Sequence, residues 1–265
     1  MLPELFSDPR LERIVWRDLL KLNRREIITE LFISIPWLLL SCIAAYYHLL
    51  FPALLSSFIF FLTGLRQSHN AQHYAVGISK RATEWFLFFI SLSMMASMHA
   101  VKYNHLVHHK STLAVDDIEA MSAKMKWWKA ILAGPYFIIM LHSNALVKGN
   151  KKLKQWIMFE LLINILIIIS AFYLLDVYWL KYHVTVMLIG ECFTSFFAVW
   201  TVHHDCEKSY LFARTVRGKF KGKLFYNMFY HMEHHLFPKV PTCHMYELAR
   251  RIDTIIPEIK TKRVF

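Results

Sequence analysis

Near its C-terminal end the chain carries His231-Met-Glu-His234-His235, followed three residues later by Pro238. On a helix, positions i, i+3 and i+4 share one face, so a short turn here aims up to three imidazoles at one point. The same spacing recurs at His105, His108 and His109, and a related i, i+4 pair stands at His69 and His73. A further doublet, His203-His204, lies in Thr-Val-His-His-Asp-Cys. Neutral imidazole is a borderline-soft ligand that suits zinc, iron, copper or nickel. A single pair at this spacing arises by chance, but one pair, two triplets and a doublet do not. One tetrahedral zinc takes three or four ligands, so eight or nine imidazoles are too many for one ion and suit two. With few carboxylates and no thiolate cluster, such a set points to redox-active iron and oxygen chemistry.

The elements that must position these histidines are apolar. Hydrophobic residues make up 56% of the chain, against roughly 45–50% in an ordinary soluble domain, and they come in blocks. Leu31–Leu50, Phe51–Leu65, Gln155–Leu175 and Tyr182–Trp200 each approach the ~20 residues needed to cross ~30 Å of hydrocarbon. The first block is too long and too late for a secretory signal. Two more runs complicate the count. Trp85–Met98 has the length of an interfacial or buried helix. Ala130–Val147 is broken by Gly134-Pro135 and carries His142 and Asn144. Both are read as interfacial or re-entrant, which leaves four spans with both termini on one side. Trp127-Trp128 beside Lys124, Lys126 and Lys129 fits an amphipathic helix at the headgroups.

The net charge of +12 follows this topology. Of the 31 Lys and Arg residues, only Lys181 lies in a connection between blocks one and two or between blocks three and four. Positive charge collects on the cytoplasmic side and meets anionic lipid there, so nucleic acid is not needed to explain it. The four cysteines, Cys42, Cys192, Cys206 and Cys243, form no CxxC, which argues against a zinc knuckle or a disulfide framework. On this topology the clustered histidines fall at membrane exits, or just beyond them, on the cytoplasmic side. A metal transporter would instead place its ligands near the bilayer midplane, where the spans offer only Glu160, Asn164 and Glu191. A scaffold acting through its basic tail would leave the histidines unexplained.

The three runs His69-Asn-Ala-Gln-His73, His105-Leu-Val-His108-His109 and His231-Met-Glu-His234-His235 resemble the histidine boxes of the membrane fatty acid desaturase superfamily. The third continues into Leu236-Phe237-Pro238, as in acyl desaturases. The resemblance implies two non-haem irons held by these eight histidines and one more from the end of the fourth span. His204 is the expected ninth ligand, with His203 in a supporting place. Asn227, four residues before His231, resembles the family's asparagine that can hold a metal-bound water, provided the helix extends that far. The expected architecture is one all-α integral membrane domain over residues 1–265. It has four transmembrane helices, interfacial helices and a cytoplasmic helical cap holding the di-iron site.

The implied activity is oxygen-dependent desaturation of a fatty acyl lipid, acyl-CoA or acyl carrier, with molecular oxygen as co-substrate. A lipid, alkane or carotenoid hydroxylase or ketolase is the alternative, since these share the boxes. The chain lacks a cytochrome b5-like His-Pro-Gly-Gly motif, a Rossmann glycine fingerprint and rubredoxin CxxC pairs. Electrons must therefore come from a separate ferredoxin, rubredoxin or cytochrome b5 type of partner. Asp116, Asp117 and Glu119 could accept hydrogen bonds from ligand imidazoles. His48, at the outer end of the first block, is read as interfacial, His142, His183 and His244 are read as structural, and His99 lies off the face of the second box. Glu160 and Glu191, inside spans, are read as facing the bundle interior.

Overall fold

The computed structural model describes residues 3–206 and 210–264. The described residues form helices and turns; the sole β feature among them is one isolated bridge between Thr215 and Arg263. Three short 3-10 turns open the chain. They are followed by α1 (Arg24–Phe32), α2 (Ile35–Tyr46), α3 (Leu50–Gln72), α4 (Lys80–Met94), α5 (Met98–Ser111), α6 (Trp127–Leu132), α7 (Gly134–Lys148), α8 (Lys151–Ile169) and α9 (Tyr178–Glu191). The last four are short apart from α13: α10 (Thr201–His203), α11 (Lys219–Leu224), α12 (His231–Leu236) and α13 (Met245–Ile255).

Local sequence explains the starts and breaks. Asn23 and Glu26 form a reciprocal capping box on α1, and Ser79, Ser97 and Asn150 cap α4, α5 and α8. These side chains satisfy amides that a first turn leaves unpaired. Pro36 in the first turn of α2 supplies no amide, which fits the joint between α1 and α2.

Among the described residues, three helices are long and apolar enough to cross a membrane: Arg24–Tyr46, Leu50–Gln72 and Lys151–Leu174. Two bent pairs raise the number to five if each counts as one crossing. The four expected crossings fall between these limits. The fourth block, Tyr182–Trp200, falls in the pair Tyr178–Glu191 and Ser195–His203, bent by 40°. The run Trp85–Met98 is not one straight helix. After Met94 the backbone takes a left-handed residue at Met95, with φ 61°, and α5 leaves at 113° to α4. That reversal swings the second histidine triplet back beneath α3. The other interrupted run splits at Ala133 into α6 and α7, and neither is among the candidate crossings.

Polar side chains stitch the apolar bundle. Ser41 of α2, Ser57 of α3 and the Tyr182 hydroxyl of α9 form a buried chain with spacings of 2.7 and 3.0 Å. Each such bond between helices in a bilayer is worth about 0.6 kcal/mol. A second core lies beyond the bundle. Leu5, Ile14 and Leu19 of the N-terminal turns bury themselves with Met232 of α12 and with Leu248 and Ile252 of α13. Ion pairs from Arg251 to Asp18 and from Arg10 to Asp8 and Glu258 line its edge. α13 suits this place because Met245, Leu248, Ala249 and Ile252 recur at helical spacing on one face.

Candidate metal centre

Four elements bring nine histidines to one place. α3 supplies His69 and ends at His73, α5 supplies His105, His108 and His109, and α12 supplies His231, His234 and His235. The ninth comes from α10. Their nitrogens form two groups, His69, His73, His105, His109 and His234 in one and His108, His203, His231 and His235 in the other. Within each group the candidate ligand atoms all lie within 4.8 Å of one another. The i, i+4 pairs 69/73, 105/109 and 231/235 each stay within one group. His108 and His234, which lie off those pairs' line, each reach the opposite group.

The ninth histidine corrects the sequence reading. His203, not His204, joins the cluster. His204 Nδ1 donates to the Trp200 carbonyl at 2.8 Å, and its ring stacks on the Trp200 indole, centroids 4.0 Å apart. The cause lies one turn earlier, where Ser195–Trp200 is wound as a π-helix. An i→i+5 turn takes one residue more than an α turn and so shifts which residue faces the cluster. The helix then ends at His203, and His204 is already extended. Asn227 is corrected too. α12 begins only at His231, and Asn227 sits in a left-handed turn with φ 60°. Its Oδ1 packs against Gly222, where a Cβ would approach within 2.9 Å.

Three of the rings are oriented by a hydrogen bond at Nδ1. His105 Nδ1 donates to Glu119 at 2.8 Å, His108 Nδ1 to Asp117 at 2.7 Å, and His203 Nδ1 to the Phe212 carbonyl at 3.0 Å. Each neutral ring has one N–H, so in these three the Nε2 atom carries a lone pair. Those Nε2 atoms nonetheless face other Nε2 atoms closely. His108 lies 3.1 Å from His203 and 3.2 Å from His235, and His105 lies 2.9 Å from His73. When both rings are neutral, the lone pairs of His108 and His203 oppose each other. Such a contact is repulsive until a cation sits among the nitrogens. The buried Nε2 of His69 likewise has no hydrogen-bond partner. The donor set fits metal ions in both groups, all imidazole and without thiolate.

Carboxylates that orient metal-binding imidazoles normally act through the second ring nitrogen. Of the three acids considered, Asp117 and Glu119 do this and Asp116 is exposed. Asp117 is itself fixed by the amides of Leu113 and Ala120. Burial pushes the Glu119 carboxyl up to about 7. His99 is apart from the cluster. It bridges Glu160 at 2.6 Å and Glu84 at 2.8 Å, so Glu160 does face the interior, as a structural partner. His142 Nε2 accepts the Ser97 amide, and His244 donates to the Leu19 carbonyl.

Burial also sets a pH expectation. It holds His73 down to about 3, and it holds His231, His234 and His235 well below their ordinary value, with neighbouring imidazoles adding to the effect. A solvated histidine site loses metal as pH falls through about 6.5. In the group of His69, His73, His105, His109 and His234, where every ring is held low, metal should stay bound through that point. His108, which burial lowers but the Asp117 hydrogen bond raises overall, makes the other group the one to lose metal first. Protein equilibrated at stepped pH, assayed for bound metal and followed by circular dichroism for its fold, checks both. For the metal-free chain the sign is different. Below about 6.5 the unfolded histidines take up protons that the buried ones refuse. Stability of the apo form should therefore fall as pH drops from there.

A narrow cavity runs against the cluster. Leu65, Val101, Phe137, Phe197, Val199 and Phe229 give it apolar walls, and His69, His105, His231 and Glu119 stand at its polar side.

The family model described as Fatty acid desaturase matches residues 44–264. Comparison with curated proteins and with solved structures finds no match.

Proposed function

The chain belongs to the fatty acid desaturase family, and on that premise we propose that it is a membrane-bound di-iron enzyme that introduces a double bond into a fatty acyl chain. The observation that carries the reading is the gathering of nine histidines into two groups of candidate ligands beside an apolar cavity. His69, His73, His105, His109 and His234 would hold one iron, and His108, His203, His231 and His235 the other. The irons would supply the oxygen activation that an unactivated C–H bond requires.

The protein's own part is positional. Asp117, Glu119 and the Phe212 carbonyl each hold one ring by its Nδ1–H, so those rings present Nε2 without reorganising. The walls of the cavity keep water from the reacting carbon and hold the acyl chain against the cluster. His204 and Asn227 have no part in metal binding. The positive-inside pattern supports a multi-pass arrangement with both termini and the metal site on the cytoplasmic side, where a separate ferredoxin, rubredoxin or cytochrome b5 type of protein would deliver electrons.

The test is to supply the protein with a reduced donor, isotopically labelled oxygen gas and a labelled saturated acyl lipid, then weigh the product. Loss of two hydrogens without incorporated oxygen is expected. Gain of one labelled oxygen would make the chain a hydroxylase on the same metal site. Turnover of a carotenoid or alkane alone would overturn the acyl assignment.

A further inference from the structure

Among the described residues after Trp200, only Phe220 and Leu224 are large apolar side chains left exposed, at 79% and 60%. The rest of that region hides its apolar groups: Phe212, Met232, Leu248 and Ile252 are fully buried. Both exposed residues belong to α11, whose sequence is Lys-Phe-Lys-Gly-Lys-Leu. Gly222 turns inward, since a Cβ there would lie 2.6 Å from the Tyr230 hydroxyl. At 3.6 residues per turn, positions two before and two after Gly222 point directly away from it. Phe220 and Leu224 therefore form an outward ridge. Lys219 and Lys223 flank it on one side and Lys221 on the other, all exposed.

The level of this helix is fixed by the turn that follows it. The Tyr226 carbonyl accepts a hydrogen bond from Arg66 Nε at 2.8 Å. Arg66 sits one turn before His69 on α3, toward the apolar part of that span. α11 is therefore held where α3 passes from lipid to the histidines. The same turn continues into Met228 and Phe229, which line the cavity.

We propose that α11 is a membrane-surface anchor for this wall of the cavity. Phe220 and Leu224 enter the acyl region, while Lys219 and Lys223 lay their stems along it and meet the phosphates of anionic phospholipid. A protein partner is the less suitable occupant. Two side chains make a ridge much smaller than the face of a stable protein complex, and the helix lies at the level of the lipid boundary. The proposal rests on the membrane reading and is independent of which reaction the metal site performs.

The test uses the full chain in lipid nanodiscs. Phe220→Cys and, separately, Leu224→Cys are labelled with an environment-sensitive fluorophore, with the unsubstituted chain labelled in parallel as the blank. Quenching by nitroxide-bearing lipid and resistance to aqueous iodide are expected at both sites. The lipid quenching should be stronger with anionic than with zwitterionic lipid, and this gain should be lost in Lys219→Glu/Lys223→Glu chains whose circular dichroism is unchanged. Iodide quenching at both positions in both lipids would overturn the proposal. So would a water-accessible probe that becomes protected only when a soluble reduced ferredoxin is added, which would make α11 a protein-docking face.

Discussion

Replacing His203 with Ala is expected to strip metal from the protein and abolish turnover, while His204→Ala leaves metal content unchanged. The two residues are adjacent, and only the π-wound segment before them decides which one faces His108, His231 and His235. His203 Nε2 lies 3.1 Å from His108 and 2.9 Å from His231, with its Nδ1 committed to the Phe212 carbonyl. Loss of a residue that merely orients a ligand costs about 10–100-fold in affinity or activity, and loss of the ligand itself should exceed that. His204→Ala removes a stack on Trp200 and one bond to its carbonyl, worth about 1 kcal/mol of stability. Metal analysis of purified protein, with turnover measured on the same preparations, separates the cases. Full metal in His203→Ala with loss in His204→Ala would reverse the assignment.

That pair of residues also marks the limit of what the sequence could tell. The i, i+3, i+4 spacings place imidazoles on a shared helical face, and α3, α5 and α12 present them so. The acids at 116, 117 and 119 were visible as near neighbours, but a loop has no fixed period, so nothing in the sequence distinguished Asp117 and Glu119 from the exposed Asp116. A π turn carries no residue signature, so the choice between His203 and His204 was out of reach. Asn227 was placed by assuming that α12 began a turn earlier. Instead Tyr226 and Asn227 both take positive φ, which ends any regular helix there. The shortness of the run around Trp85 was visible in the sequence. The left-handed Met95 that turns it through 113° did not show. Least legible was the pairing of Arg66, because its partner Glu30 lies 36 positions away.

Arg66→Met is expected to destabilise the protein by about 3–5 kcal/mol, the cost of leaving one partner of a buried ion pair alone. Glu30 and Arg66 are both buried, and the guanidinium meets the two carboxylate oxygens at 2.5 and 2.7 Å. Asn70 Nδ2 donates to the same carboxylate at 2.6 Å, and its Oδ1 accepts the amide of Thr242 beyond the third histidine run. Arg66 also holds the Tyr226 carbonyl. One guanidinium thus ties α1, α3 and the turn that lines the cavity, within one turn of His69. Removing both charges, as in Glu30→Leu/Arg66→Met, replaces the pair with apolar groups, which is often neutral or stabilising by about 1–4 kcal/mol. The double variant should therefore recover most of the lost stability. It should not recover turnover, because the Tyr226 carbonyl and the Asn70 Nδ2 remain without their partners and the cavity wall is no longer fixed. Chemical unfolding in detergent, read alongside turnover for the two single variants and the double, tests both halves. Equal stability of Arg66→Met and the parent would show that the pair is not desolvated, and full activity in the double variant would remove Arg66 from the support of the site.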